Sequence, residues 1–222
     1  MNKKQQQYLQ ALGIQSWESK NFSPSETIEI SSDETLDSNR QKIWLELEDR
    51  VKHCTLCELH KTRTHTVFGI GNKKADLLFV GEAPGANEDQ QGIPFVGRAG
   101  NLLTSMLKAI NIDRKDVYIA NILKCRPPNN RDPLPSEVAL CTPYLQEQIN
   151  LMQPKLIVAV GRIAAQFLLK TNDPLSKLRG KLHYYGEQNT PLWITYHPAY
   201  LLRSPREKAK AYRDMLEIQK RL

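Results

Sequence analysis

Four short apolar runs, each nearly continuous rather than alternating, restrict this chain to a narrow set of folds. They cover residues 77–80, 117–122, 156–160 and 192–196. A strand that is apolar on both faces must be covered on both faces, which is the condition of a parallel sheet held between helices. The intervening segments have helical spacing at 99–110, at 136–152 with an interruption expected at Pro143, and at 162–170; a last helix is expected over 206–222. Strand–helix alternation of this kind predicts an α/β, doubly wound, three-layer α/β/α sandwich on a central four-stranded parallel sheet. The sequence has no internal repeat.

Two of the runs lead directly into polar, turn-rich segments. Gly81-Glu82-Ala83-Pro84-Gly85 follows the first run, and His197-Pro198-Ala199-Tyr200-Leu201-Leu202-Arg203 follows the last. Both therefore fall at the carboxyl ends of strands, where open α/β sheets bind their ligands.

Charge narrows the ligand class. The net charge is +7, but residues 1–40 carry four Lys/Arg against six Asp/Glu, so the remainder carries an excess of nine positive charges. Such an excess attracts polyanions, nucleic acid first among them. Residues 21–39 contain five acids, no base, five serines and one proline, and residues 21–40 read as an acidic disordered linker. Before it, residues 1–20 form a short amphipathic patch in which Tyr8, Leu9 and Leu12 share a helical face, followed by Ile14 and Trp17. A patch this small has no core of its own. It can dock on the main domain or serve as a partner peptide. Residues 5–20 resemble the N-terminal peptide by which the psi subunit of bacterial DNA polymerase III holds the clamp loader, which implies a replication or clamp-loader partner. No run approaches the roughly 20 apolar residues needed to span a bilayer, and no signal-like segment follows Lys3 and Lys4. A cytoplasmic monomer with no membrane association is expected, with residues 41–222 as its main domain.

The four cysteines form a plausible set: Cys54 and Cys57 two residues apart, then Cys125, then Cys141 after fifteen intervening residues. A cytoplasmic chain is a poor place for structural disulfides. Four thiolates suit zinc or an iron–sulfur cluster, and the spacing does not choose between them. Four unrelated buried thiols are the remaining alternative.

Taken together, Cys54-Thr55-Leu56-Cys57, Gly81-Glu82-Ala83-Pro84-Gly85 with Glu88-Asp89, Gly92-Ile93-Pro94-Phe95-Val96-Gly97, Asn121-Ile122-Leu123-Lys124-Cys125-Arg126-Pro127-Pro128 and His197 through Arg203 resemble the family 4 uracil-DNA glycosylases. The resemblance spans about residues 50–206. It implies a 4Fe–4S cluster rather than zinc on Cys54, Cys57, Cys125 and Cys141. It also implies a monofunctional hydrolase that removes uracil from single- or double-stranded DNA in base-excision repair.

Such an enzyme must flip the nucleotide out and read it. Asn121 offers a carbonyl and an amide to uracil N3–H and O4, whereas cytosine would leave those groups unpaired at about 1–3 kcal/mol each. The resemblance makes Phe95 the stacking platform, worth roughly 1–3 kcal/mol, and His197 the donor to O2, whose removal costs roughly 10²–10³-fold in rate. Backbone N–H groups around Glu82 and Ala83 are further donors. Related families carry an aspartate at the place of Ala83 to activate water; alanine cannot, so Glu82 becomes the candidate for positioning water or stabilising the cationic sugar. Glu88 is expected to fill the space beside Gly85 and exclude C5-substituted bases, and Asp89 to be a surface or helix-capping group. Leu201 or Leu202 would fill the gap left by the flipped base, with Arg203 and Arg206 on flanking phosphates. Arg98, Lys124, Arg126 and Arg131 are further phosphate candidates, and His53, His60, His65 and His183 are read as structural.

Two other readings compete. One is a metal-containing DNA-binding module without turnover, recruited to replication through the N-terminal segment. The other is the superfamily branch that becomes covalently trapped on uracil-containing DNA, but the inserted basic loop of that branch is absent after Cys125. Gly81-x3-Gly85 matches neither the dinucleotide nor the P-loop fingerprint.

Overall fold

The structure, a computed structural model, describes residues 32–222, with side chains from residue 37. The N-terminal segment 5–20 therefore lies outside the described residues. Helix α1 (Ser32–Lys52) begins inside the stretch expected to be a linker. The rest of the linker is not described. From Trp44 onward the inward positions of α1 (Trp44, Leu47, Val51) are buried. That apolar stripe extends helix propensity back into residues whose composition alone argues for disorder.

The four expected strands are present as β2 (Leu77–Gly81), β3 (Tyr118–Asn121), β4 (Leu156–Val160) and β6 (Thr190–Thr195). Two short edge strands, β1 (Ile70–Gly71) and β5 (His183–Tyr185), extend the sheet to six in the order β1-β3-β2-β4-β6-β5. The inner four pair in parallel, and the two edges pair antiparallel. The central sheet is thus the expected parallel one, with an antiparallel strand added at each side.

The helices include α2 (Ala86–Gln91), α3 (Arg98–Lys108), α4 (Pro135–Met152), α5 (Arg162–Leu169), α6 (Leu175–Leu178), α7 (Pro198–Arg203) and α8 (Lys208–Gln219). Pro143 lies inside α4 without ending it. Beside the missing N–H, the Thr142 hydroxyl donates to the Val138 carbonyl at 2.6 Å. Consecutive residues of β2 and β4 feed opposite cores, as the pleat requires. Leu78, Val80, Ile157 and Ala159 pack with α1, α4 and α5. Leu77, Phe79, Leu156 and Val158 pack with α3 and α8.

Strand β2 has β3 on one side and β4 on the other. The connection through α3 leaves over one face and that through α4 returns over the other. The carboxyl end of β2 is therefore a topological switch point, the crevice where doubly wound sheets hold ligands. Among the described residues, no helix is long and apolar enough to cross a membrane.

Candidate active site

Three strand ends and one loop meet at this crevice. Asn121 ends β3 opposite Gly81 of β2. The two are in such close contact that a Cβ on Gly81 would collide with Asn121 Oδ1 and come within 2.8 Å of the Phe95 ring. Gly81 is the floor on which the amide and the aromatic ring are set. Asn121 is 2% exposed, and its Oδ1 is buried with no hydrogen-bond partner. An unpaired buried acceptor costs about 1–3 kcal/mol, and native structures keep few of them without a reason.

The Phe95 ring is 7% exposed and stands 5.6 Å from the His197 ring, tilted by 32°. Its backbone is left-handed, with φ 54°, a strained geometry for a bulky side chain that the surroundings must enforce. Two groups do so. Glu88 Oε1 accepts from Val96 N (3.0 Å) and Gly97 N (3.2 Å). Arg114 donates to the Pro94 carbonyl at 2.8 Å. The other Glu88 oxygen lies 2.7 Å from where a Gly85 side chain would begin.

His197 caps α7, its Nδ1 accepting from Ala199 N at 3.1 Å. The ring proton is therefore on Nε2, and that nitrogen is the donor. Burial pushes the imidazole pKa down to about 4, with Arg203 acting in the same direction and Glu88 opposing. The ring is neutral at physiological pH. Gly161, at φ +94°, lies against it; a Cβ there would come within 2.9 Å of His197 Cβ.

Glu82 follows β2 and is half-buried. Burial, then Asp132, push its carboxyl up to about 7 against the pull of Arg162. Ala83 turns away and packs on the Leu59, Leu123 and Cys125 group.

Several expectations are corrected. Leu201 is 1% exposed and cannot be an exposed wedge, because the segment is helix α7 with its inner side on the fold. Leu202 is half-buried, while Arg203, Arg206 and Tyr200 are exposed. The Tyr200 ring lies 5.2 Å from that of Tyr196. Tyr196 is capped by Arg179 at 3.9 Å, and Arg179 is held in turn by Asp214. Lys124 is buried and reaches no phosphate-facing surface. Arg131 is committed to Glu137 through two bonds. Arg98 is exposed, and Arg126 bonds Asn130 Oδ1 at 2.7 Å. Asp89 is 3% exposed and accepts from Thr64 N at 3.0 Å, an internal anchor rather than a surface group. His53, His60, His65 and His183 each bond a backbone carbonyl.

All four cysteines are free thiols and line one pocket with Leu56, Leu59, Arg63, Leu123, Leu140 and Tyr144 among its walls. Arg63 Nη1 donates to Cys125 Sγ at 3.1 Å and Lys124 N to Cys141 Sγ at 3.2 Å. Burial pushes both thiols up, Cys141 to about 11. A positive metal centre is what would hold such groups as thiolates. Among the described residues, no three His, Cys, Asp or Glu side chains are gathered as a single-ion site. Sequence reasoning missed Arg63, Tyr144 and Gly161. Only the glycine had a local signal, its place directly after an apolar run.

A buried amide and a buried aromatic ring thus sit together at the switch point of a doubly wound sheet, with the His197 ring beside the aromatic one. The sequence model of the Uracil DNA glycosylase superfamily matches residues 68–218, which take in every residue of that crevice. The type-4 uracil-DNA glycosylase of Archaeoglobus fulgidus is 47% identical over 182 residues, 78% of this chain and 91% of that protein. That of Thermotoga maritima is 46% identical over 167 residues, 74% and 86% of the two chains. The Sulfurisphaera tokodaii enzyme of the same name is 42% identical over 180 residues, 78% and 82%. The chain belongs to the type-4 uracil-DNA glycosylase family.

Proposed function

We propose that this protein is a DNA repair enzyme that hydrolyses the N-glycosidic bond of uracil in DNA and leaves an abasic site. The observation that carries the reading is Asn121 Oδ1, a buried acceptor with no partner, beside the Phe95 ring. Uracil N3–H is the donor it lacks, and Asn121 Nδ2 is then free for uracil O4. Cytosine presents an acceptor at N3 and leaves Oδ1 unpaired.

As the glycosidic bond lengthens, negative charge gathers on the base. A neutral His197 donating from Nε2 stabilises that charge without first giving up its proton. Glu82 has its carboxyl raised to about 7; ionised, it can orient the attacking water or oppose the positive charge on the sugar. Glu88 supports selection against C5-substituted bases by filling the space beside Gly85. On the outside of α7, Leu202 and Tyr200 replace Leu201 as the groups available to the gap left by the flipped base, with Arg203 and Arg206 on flanking phosphates.

Cys54, Cys57, Cys125 and Cys141 would hold a 4Fe–4S cluster, which would staple the segment after α1, the loop after β3 and α4 together. Four thiols around one pocket accept either zinc or a cluster; the cluster is what membership of the family implies. Recruitment to a replication or clamp-loader partner through residues 5–20 rests on their sequence.

The test is excision from a labelled oligonucleotide carrying one uracil, with thymine and cytosine controls and alkali to open abasic sites. Alkali-dependent cleavage at uracil alone, with multiple turnovers, is the expected result. DNA binding without cleavage, by metal-bearing protein, would favour the binding module instead.

A further inference from the structure

We propose that Lys124 is a positioning residue that fixes the base-reading Asn121 through its main chain and ties it to the cysteine pocket; this rests on the uracil-excision reading above. Lys124 follows β3 by three residues and is 1% exposed, with every polar atom in use. Its Nζ donates to the Asn121 carbonyl (2.9 Å), to Gln148 Oε1 (2.6 Å) and to the Phe68 carbonyl (3.2 Å). Its main-chain N–H donates to Cys141 Sγ at 3.2 Å, and its carbonyl accepts from Val67 N at 2.7 Å. One residue thus has its backbone on a cysteine and its side-chain tip on the residue that reads the base.

The arrangement answers a problem set by recognition itself. Asn121 Oδ1 must stay free for the ligand, and it is free of hydrogen bonds. A side chain that cannot be held by its own acceptor has to be aimed by its backbone and by packing. Gly81 and Phe95 supply the packing, and Lys124 Nζ grips the carbonyl from behind. The three acceptors come from three segments: the stretch before β1, the end of β3, and α4. An ammonium with three donors can join all three, whereas an apolar residue of equal length fills the space and joins none. Gln148 Nε2 also donates to the Phe68 carbonyl at 3.0 Å, so that carbonyl keeps a partner when the lysine is replaced. Asn121 loses its grip.

The experiment compares full-length, metal-bearing wild type with Lys124→Met. The readouts are the single-turnover excision rate, KM for uracil DNA, affinity for free uracil by calorimetry, the visible spectrum and Tm. A misplaced reader of about 1 Å loses on the order of 10²-fold in rate. The expected result is a loss of that order with weakened uracil affinity, while KM for DNA and the visible spectrum stay as in wild type. Unchanged rate and uracil affinity in folded Lys124→Met would overturn the proposal, as would a rate loss that appears only together with loss of the chromophore. If Lys124→Met does not fold, Lys124→Gln decides: its shorter amide keeps a polar head but cannot reach all three acceptors, so the Asn121 carbonyl loses its donor, while the main-chain Cys141 contact stays in place. Reduced uracil affinity with an intact spectrum supports the positioning role, and wild-type affinity overturns it. Wild-type protein that excises no uracil and binds none would instead overturn the functional reading.

Discussion

The base pocket and the cysteine pocket lie on either side of the segment from Asn121 to Cys125, and they handle polar atoms in opposite ways. In the base pocket an acceptor is buried and left without a partner, on a floor that only glycine can form. In the cysteine pocket two of the sulfurs already receive N–H donors, and the walls are largely leucine, with Arg63 and Tyr144 among them. On the proposed function, the first receives something that comes and goes and the second holds something that stays. Perturbing the first should remove chemistry and spare the fold, and perturbing the second should do the reverse.

The largest expected effect is on the first side. Asn121→Ala should lower uracil excision by about 10³-fold, as loss of a preorganised polar group in such a site does, with the visible spectrum and Tm close to wild type. Retained activity would remove Asn121 as the base reader.

Next is the cysteine side. Cys57→Ala should lose the visible chromophore and melt at a lower temperature, with activity falling only as folded protein is lost. An unchanged visible spectrum would end the cluster assignment.

A smaller effect belongs to Glu82, and it depends on pH. Its carboxyl titrates at about 7, and the proposed role needs the ionised form. The excision rate should therefore rise as pH increases through about 7. Glu82→Gln should flatten that limb and lower the plateau by about 10²-fold. His197, held neutral down to about 4, should add no step between pH 6 and 8. A pH profile unaltered in Glu82→Gln would exclude the carboxylate as the titrating group.

The smallest functional effect separates neighbours on α7. Leu201→Ala should cost about 2–5 kcal/mol of stability and leave the rate of the folded fraction unchanged. Leu202→Ala and Tyr200→Ala should leave Tm near wild type and lower excision from duplex DNA more than from single strands, by about 10-fold, matching roughly one lost base-stacking contact. Denaturant melts beside the two excision assays give the sorting; equal effects on both substrates would detach α7 from duplex opening.

Much of this was legible in the chain. The near-continuous apolar runs specify the inner four strands, because only a strand covered on both faces tolerates such a composition. Their abrupt change to Gly-Glu-Ala-Pro-Gly and His-Pro-Ala-Tyr locates the crevice, and the four cysteines, which line one pocket, are recognisable as a set. Those signals are local in sequence, so they survive without the fold. The edge strands were not legible, since two or three residues at Ile70–Gly71 and His183–Tyr185 carry no periodicity. Nor was the passage of α4 through Pro143, whose missing N–H removes a single helical bond, the one to the Ala139 carbonyl. Burial was the least legible property of all. Leu201 and Leu202 are chemically the same, and Lys124 and Arg126 both read as phosphate ligands. What separates each pair is which side of a helix or turn meets the core, and that is set by residues distant in sequence, such as Gln148 and Phe68, 24 and 56 positions from Lys124, around its Nζ. The sequence by itself determined which chemical groups the site contains; only the packing of the sheet against α3 and α4 decided which of them face a ligand and which hold the others in place.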